Sequence, residues 1–304
     1  MGERIFIICV LLYPALHFSI FYIGLNTRSL MYAFQSYDSA GQLYFSGFKN
    51  FITAWNLITT DTSMLYVGII NSVSLFVLTT AIGMPLNMLF GYYLFKKRFG
   101  HKAIRFIAML PSIVSGLVVT LLFLRFVEGP LPDILRMLKI SEKTILFLRD
   151  PRFSFGTVVV YSLWTGFGGM LIYYPNAMNA IDGQLFESAK IDGATELQQI
   201  WHIILPLVYP TITTFMVTGI AGLLGTAGPL FAFFGYDAPS EIYFSGYYIF
   251  RLTMQGSESS YPVLAAIGFI FTLISAPLTL LVKWAMENFG PSENDGKYFK
   301  RRAS

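Results

Sequence analysis

The chain has 304 residues, of which only 12% are charged and 55% are hydrophobic, and its mean hydropathy is +0.59. A soluble protein carries about 25% charged residues, which cover its surface. This composition therefore excludes an ordinary soluble domain and indicates that most of the surface faces lipid. The net charge is +4, and a single cysteine, Cys9, excludes an internal disulfide.

Six stretches without Asp, Glu, Lys or Arg are long enough to hold a membrane-spanning helix, which needs about 20 apolar residues. Around them we predict six transmembrane helices, at about residues 5–25, 66–95, 106–126, 154–175, 207–234 and 261–283. The predicted fold class is all-α integral membrane, with a transmembrane domain over 1–290 and a charged tail over 291–304. The first helix is expected to be retained, because its apolar core is longer than that of a signal peptide.

A seventh apolar stretch, Ile242–Phe250, is too short to cross the membrane as a helix. We expect an interfacial or re-entrant segment here. Its tyrosines, Tyr243, Tyr247 and Tyr248, are predicted at the depth of the lipid headgroups, where aromatic residues are favoured.

The charges between the predicted helices set their orientation. The loop after the second helix carries five cations and no acid between Lys96 and Arg105, and the tail carries four cations between Lys297 and Arg302. Short basic segments beside transmembrane helices remain in the cytoplasm. Six crossings place both termini on one side, so we expect both termini and the loops after helices two and four to be cytoplasmic.

The predicted helices lack the groups that several function classes require. Ion-coupled carriers usually hold ionisable groups at membrane depth, but sodium can also bind carbonyl and hydroxyl oxygens. An ATP-independent secondary carrier therefore stays open as an alternative. The histidines His17, His101 and His202 are scattered, so we expect no catalytic constellation, no metal and no cofactor. The chain contains no Walker loop, so it is not expected to be an enzyme, and ATP-derived energy must come from another subunit.

The segment between the fourth and fifth predicted helices has the pattern of a helix–turn–helix. Asp192-Gly193 breaks a run of good helix formers, and Thr195 with Gln198 fits a capping box for a second helix. An apolar stripe follows at helical spacing, formed by Leu197, Ile200, Trp201 and Ile204. One lysine stands against four acids here, which disfavours binding to anionic lipid. We therefore expect this segment to dock on another protein.

This segment resembles the EAA loop of ABC importer permeases, whose pattern is E-A-A-x3-G-x9-I-x-L-P. The pattern is matched from Glu187 to Pro206, and only Ser188 departs from it. Gly47–Phe51, Asn71-Ser72 and Arg105–Pro111 are also similar to carbohydrate permeases of the maltose type. The Gly-Gly-Pro turn that is common in that family after the fifth helix is not present.

The resemblance implies the type I ABC importer permease fold, with a coupling loop over 184–206 that seats in a cytoplasmic ATPase. The implied ATPase-coupling residues are Glu187, Ser188, Ala189, Asp192, Gly193, Ile203, Leu205 and Pro206. The implied partners are a second and different permease chain, a cytoplasmic ABC ATPase dimer, an extracytoplasmic solute-binding protein and a small-molecule solute, with no nucleic acid. The implied location is the bacterial plasma (inner) membrane, and the implied solute is a sugar or oligosaccharide.

The resemblance also places the fourth and fifth helices beside the translocation path. The implied path residues are Trp164, Thr165, Gly166, Gly169, Thr218 and Thr226. An aromatic ring and hydroxyl groups suit a sugar. Small residues and threonines are equally typical of helix–helix packing in membranes, so packing remains the alternative for each of them.

Overall fold

The computed structural model describes residues 2–140 and 145–291. The described chain is almost entirely helical and divides into two compact units. The first unit contains the residues up to Tyr66 together with Tyr248–Ile274. The second contains Val67–Tyr247 and the residues from Ser275 onward. Apart from Pro291, the predicted tail lies outside the described residues.

The first unit begins with one continuous helical rod that ends in a small hairpin. The helices and strands are α1 Gly2–His17, a π-helical stretch Phe18–Gly24, α2 Leu25–Ala33, β1 Gln35–Tyr37, β2 Leu43–Phe45 and α3 Lys49–Thr59. The strands are antiparallel, with Gln35 opposite Phe45. In the turn, the Asp38 carboxylate accepts hydrogen bonds from the backbone N–H of Gln42 at 2.8 Å and of Ala40 at 2.9 Å.

The remaining helices follow in chain order. They are α4 Met64–Phe95, α5 His101–Ile113, α6 Gly116–Glu128, α7 Pro130–Met137, α8 Pro151–Asn179, α9 Gly183–Ile191, α10 Glu196–Gln199, α11 Leu205–Gly222, α12 Leu230–Phe234, α13 Ser245–Gln255 and α14 Tyr261–Phe289. Short π or 3-10 segments lie at Ile200–Ile204, Leu223–Gly225, Ser240–Ile242 and Glu258–Ser260. The long helices carry the apolar stretches that the sequence assigned to the membrane.

In the described part of the chain, five helices are long and apolar enough to cross a membrane, or six if one bent pair counts as a span. The five are Val10–Ala33, Met64–Phe95, Pro151–Asn179, Glu196–Gly225 and Glu258–Phe289. The bent pair, His101–Ile113 with Gly116–Met137, turns by 105° and stands where the third straight helix was predicted. Val114 is extended there, with ψ 148°. Pro111, Ser112 and Gly116 are poor helix formers, which explains why the helix breaks at this point.

The short apolar stretch 242–250 is largely covered by protein. Tyr243 and Tyr247 are buried in protein and do not present their rings to lipid. The Tyr247 hydroxyl donates to the Gly235 carbonyl at 2.9 Å and accepts from the Ala238 N–H at 3.3 Å. These protein partners satisfy the phenol.

In the second unit, hydrogen bonds and a close backbone approach join the start of α4 to residues 241–245, which lead into α13. Asn71 donates from Nδ2 to the carbonyls of Glu241 and Tyr243 at 2.8 and 2.9 Å. Ser72 Oγ accepts from the Ser245 N–H at 3.1 Å. The backbones approach closely at Gly68, where an added Cβ would lie 2.9 Å from both the Phe244 carbonyl carbon and the Ser245 nitrogen.

We expect Gly68→Ala to lower the free energy of unfolding by about 1–3 kcal/mol, because rigid backbone atoms must move to admit the methyl group. Thermal unfolding of the detergent-solubilised protein measures the effect. The matched control is Gly156→Ala in α8, where an added Cβ meets nothing within 4 Å among the described residues. Equal melting temperatures for both variants would show that the Gly68 approach is looser than described.

Candidate functional site

The segment that joins α8 to α11, residues 182–206, forms a compact elbow. Its first helix, α9, is capped by Asp182, whose Oδ1 accepts a hydrogen bond from the Gln184 N–H at 3.0 Å. The second helix begins at Glu196 and continues through a π-helical turn into α11. Pro206 has no N–H to donate to the preceding turn, and the helix is widened just before it.

The turn between the two arms of the elbow is a Schellman motif. The Ala194 N–H donates to the Ala189 carbonyl at 2.8 Å, and the Gly193 N–H donates to the Lys190 carbonyl at 3.2 Å. Gly193 adopts φ +73°, in the left-handed region where side chains with a Cβ are disfavoured. The helix break predicted at Asp192-Gly193 is therefore present, and glycine is what permits it.

The capping box predicted from Thr195 and Gln198 is confirmed. The Thr195 N–H donates to Gln198 Oε1 at 2.7 Å, and the Gln198 N–H donates to Thr195 Oγ1 at 3.3 Å. The box starts the second arm immediately after the Schellman turn ends the first. Two adjacent and mutually compatible stop and start signals therefore fix the angle of the elbow.

The basic loop after α4 holds the second arm of the elbow. Arg98 donates from Nη2 to both carboxylate oxygens of Glu196, at 2.6 and 2.5 Å. Lys96 Nζ donates to Gln199 Oε1 at 3.3 Å, and Gln199 Nε2 donates to the Ala194 carbonyl at 3.2 Å. We call these contacts the latch. From the sequence, this loop was predicted only to orient the helices in the membrane. No local sequence pattern shows that its cations pair with the acids of a distant loop.

An apolar core lies beneath the elbow and anchors it. Ile204 is fully buried in a cluster formed by Tyr92, Tyr174, Met178, Val208 and Ile212, and Ile200 and Phe186 pack against that cluster. The Phe186 ring also lies 5.4 Å from the Phe95 ring at the end of α4. The elbow is thus attached to α4 through ring packing as well as through the latch.

The apolar stripe predicted on the second arm is divided between two faces. Ile204 is buried and Ile200 half-buried, whereas Leu197 and Trp201 point outward. With Ile191 at the end of the first arm, these outward side chains are 63–87% exposed. The outward side of the elbow therefore presents large apolar groups, which a soluble surface rarely leaves uncovered.

The predicted coupling residues are distributed along the elbow, from α9 to the start of α11. Glu187, Ser188, Asp192 and Gly193 are exposed. The half-buried members are Ala189, Ile203, Leu205 and Pro206. In the described part of the chain neither Glu187 nor Asp192 takes part in an ion pair, whereas Glu196 does. Two carboxylates are thus left available to a partner.

The aromatic and glycine residues predicted for the path lie on α8. Trp164 is partly exposed and stacks on Phe123, with ring centroids 5.9 Å apart. An added Cβ at Gly166 or Gly169 meets nothing within 4 Å among the described residues. At Gly168 it would collide with the Ala108 carbonyl, so Gly168 is the packing glycine of this helix.

Two of the predicted threonines bond to their own helices, and the third pairs through its backbone with the start of α13. The Thr165 hydroxyl donates to the Tyr161 carbonyl at 3.0 Å, and the Thr218 hydroxyl donates to the Thr214 carbonyl at 2.8 Å. The Thr226 carbonyl accepts from the Gly246 N–H at 3.0 Å. No hydrogen bond joins the α8 members of the predicted path to these α11-side threonines within the described ranges.

The long apolar helices and the elbow between two of them define a multi-pass membrane permease. The chain matches the model of the family described as "Binding-protein-dependent transport system inner membrane component" over residues 51–294. This protein belongs to that family. The resemblance inferred from the residues, the type I permease fold and the assignment as a transporter subunit rather than an enzyme are confirmed.

Several characterised proteins are similar to the chain. The polygalacturonan/rhamnogalacturonan transport system permease protein YteP of Bacillus subtilis is 32% identical over 59% of this chain and 55% of its own length. The lactose transport system permease protein LacF of Rhizobium radiobacter is 25% identical over 80% of this chain and 81% of its own. The match to YteP thus spans little more than half of that relative.

A solved structure has the same fold. A chain from the crystal structure of a bacterial alginate ABC transporter, in complex with alginate pentasaccharide-bound periplasmic protein, superposes with a TM-score of 0.78. The superposition covers 95% of this chain and 97% of that chain, at 22% sequence identity. The helical arrangement is thus shared along nearly the whole length.

A double-mutant cycle on Arg98→Ala and Glu196→Ala should reveal a coupling of about 0.2–1 kcal/mol, because both side chains are about half exposed. Chemical unfolding in detergent gives the four free energies of unfolding. Arg105→Ala with Glu196→Ala is the control, since Arg105 is exposed and makes no ion pair with Glu196. Equal coupling in both cycles would contradict a specific latch.

Proposed function

We propose that the protein is the membrane permease subunit of an ATP-driven ABC importer and that its elbow couples it to a separate ATPase. The observation that carries this proposal is the elbow itself. It combines a preformed turn, exposed apolar side chains and two carboxylates that form no ion pair with any described residue, on a segment that joins two membrane-spanning helices. A connector that merely closed a loop would need none of these.

The exposed side chains of the elbow favour binding to a protein partner. Complete burial of a large apolar side chain stabilises a complex by about 1.5–3 kcal/mol, and Ile191, Leu197 and Trp201 are available for it. Glu187 and Asp192 suit cationic groups on that partner. Anionic lipid is disfavoured, because the elbow carries four acids and one lysine.

The elbow would transmit energy by binding the open and closed states of the ATPase with different affinities. The second arm continues into α11, and three residues join the first arm to α8, so a displacement of the elbow moves both helices together. The coupling residues are Glu187, Ser188, Ala189, Asp192, Gly193, Ile203, Leu205 and Pro206. Burial of Ile204 in the core beneath makes the elbow move as one body with these helices.

The proposed solute is a sugar or oligosaccharide. The names of the relatives and of the solved transporter refer to lactose, galacturonans and alginate, all of which are carbohydrates. The proposed path residues are Trp164, Thr165, Gly166, Gly169, Thr218 and Thr226. The open space beside Gly166 and Gly169 supports a path over a packing role, and the partly exposed Trp164 ring could stack on a sugar.

The proposed assembly pairs this chain with a second, different permease subunit, a cytoplasmic ATPase dimer and an extracytoplasmic solute-binding protein. We place the transmembrane domain at 1–290 in the bacterial inner membrane, with both termini in the cytoplasm. This orientation rests on the basic loop after α4 and on six crossings, with the bent pair α5 and α6 counted as one.

Gly193→Val should abolish most of the solute uptake while the protein still inserts, because a β-branched residue cannot readily hold φ +73°. Gly193→Asn, which tolerates the left-handed region, should retain much more uptake. Gly183→Ala is the matched control in the same segment, since its Cβ meets open space. Proteoliposome uptake and ATPase activity are measured together, and wild-type coupling in Gly193→Val refutes the proposed role of the elbow.

Gentle purification of the tagged chain from its native membrane should recover an ATPase and a second permease. Loss of the ATPase in Gly193→Val, with retention of the second permease, would locate the ATPase contact at the elbow. Recovery of this chain alone, still catalysing uptake in liposomes without ATP, would support a secondary carrier and refute the proposal.

A further inference from the structure

The outward face of α3 is apolar and uncovered. Phe48, Ile52 and Trp55 recur at intervals of four and three residues, which places them on one side of the helix. Together with Phe45 at the end of β2 they are 55–76% exposed. We call these four residues the α3 stripe. Two members of the opposite face, Asn50 and Ala54, are buried in the first unit, so the stripe is not its packing surface.

The beginning of α3 is attached to the end of the first membrane-spanning helix. Phe34 follows α2 directly, and its ring centroid lies 5.6 Å from that of Phe48 and 4.9 Å from that of Phe51. Asn50 donates from Nδ2 to the Ala33 carbonyl, the last of α2, at 3.0 Å. The start of α3 is therefore held at the level where that helix ends.

The end of α3 is tied to the next spanning helix. Four residues separate Thr59 from the start of α4, so the connection reaches at most about 18 Å even when extended. It is shortened by a turn, in which the Ser63 N–H donates to the Thr60 carbonyl at 2.9 Å. In between, the Phe51 ring contacts that of Phe269 in α14, at 5.8 Å.

We propose that α3 lies along the lipid–water boundary with the α3 stripe inserted in the lipid. Eleven residues are too few to cross the bilayer, and both ends of α3 are held where spanning helices end or begin. Phe, Ile and Trp suit the boundary region. The stripe carries no charge, whereas its flanks carry Lys49 and Asn56, which suit headgroups and water.

Lipid is favoured over a protein partner because the stripe begins beside a long surface that is apolar and exposed. The helix Val10–Ala33 is apolar and exposed along nearly all its length in the same unit, and Phe48 contacts the residue just beyond its end. The stripe thus continues this exposed apolar surface beyond the end of the spanning helix. This surface takes no part in the proposed coupling to an ATPase.

Spin labels can test this placement in proteoliposomes of the full chain. In a Cys9→Ser background, Ile52→Cys and Trp55→Cys place the label on the stripe, whereas Thr53→Cys and Asn56→Cys place it on exposed polar positions of the same helix. We expect labels at 52 and 55 to collide several-fold more often with oxygen, relative to a water-soluble nickel chelate, than labels at 53 and 56.

Two outcomes would overturn the proposal. Equal access of the nickel chelate to all four labels would mean that the stripe lies in water. Immobile labels at 52 and 55 that neither reagent reaches, or that change on addition of a solute-binding protein, would mean that protein covers the stripe. If a labelled variant fails to fold, quenching of native Trp55 by brominated lipid, with Trp55→Phe as the difference control, decides the same question.

Discussion

A membrane-spanning chain must satisfy its backbone hydrogen bonds internally, because hydrocarbon offers no partners. In the described part of the chain, two irregular segments replace helical bonds with bonds to other groups. Between α11 and α13, the Leu224 carbonyl accepts from Ser245 Oγ at 2.7 Å and the Thr226 carbonyl from the Gly246 N–H at 3.0 Å. At the elbow, the N–H groups of Gly193 and Ala194 return to α9. Both segments are therefore held by hydrogen bonds within the chain.

The same constraint acts on the side chains of the long helices. In the described part of the chain, eight threonine hydroxyls on the membrane-spanning helices donate to the carbonyl four residues earlier, those of Thr79, Thr120, Thr157, Thr165, Thr214, Thr218, Thr272 and Thr279. Such a hydroxyl keeps a lone pair that can accept another hydrogen bond. Threonines along α8 and α11 therefore have their hydroxyl hydrogen bonded within the helix. Each hydroxyl oxygen can still accept a hydrogen bond from a solute that carries hydroxyl groups.

Local rules predicted the parts of the site that depend on neighbours in sequence. The Gly193 break and the Thr195–Gln198 capping box follow from backbone preferences that any chain obeys. The bend after Ile113 was missed, because an uncharged stretch has the same composition whether it is straight or bent by 105°. The hairpin at Gln35–Phe45 has only three residues per strand, too few to leave an alternating pattern.

The contact at the elbow that could not be predicted from the sequence is the pairing of two residues that lie far apart in the chain. Arg98 and Glu196 stand 98 positions apart, so no local pattern could pair them. An exposed pair of this kind contributes little energy by itself, so the turn, the caps and the burial of Ile204 fix the shape while the latch orients the second arm. A partner that closes on a preformed surface loses little free energy in ordering it. More of the binding free energy then remains to distinguish one state of the partner from another, which is what coupling requires.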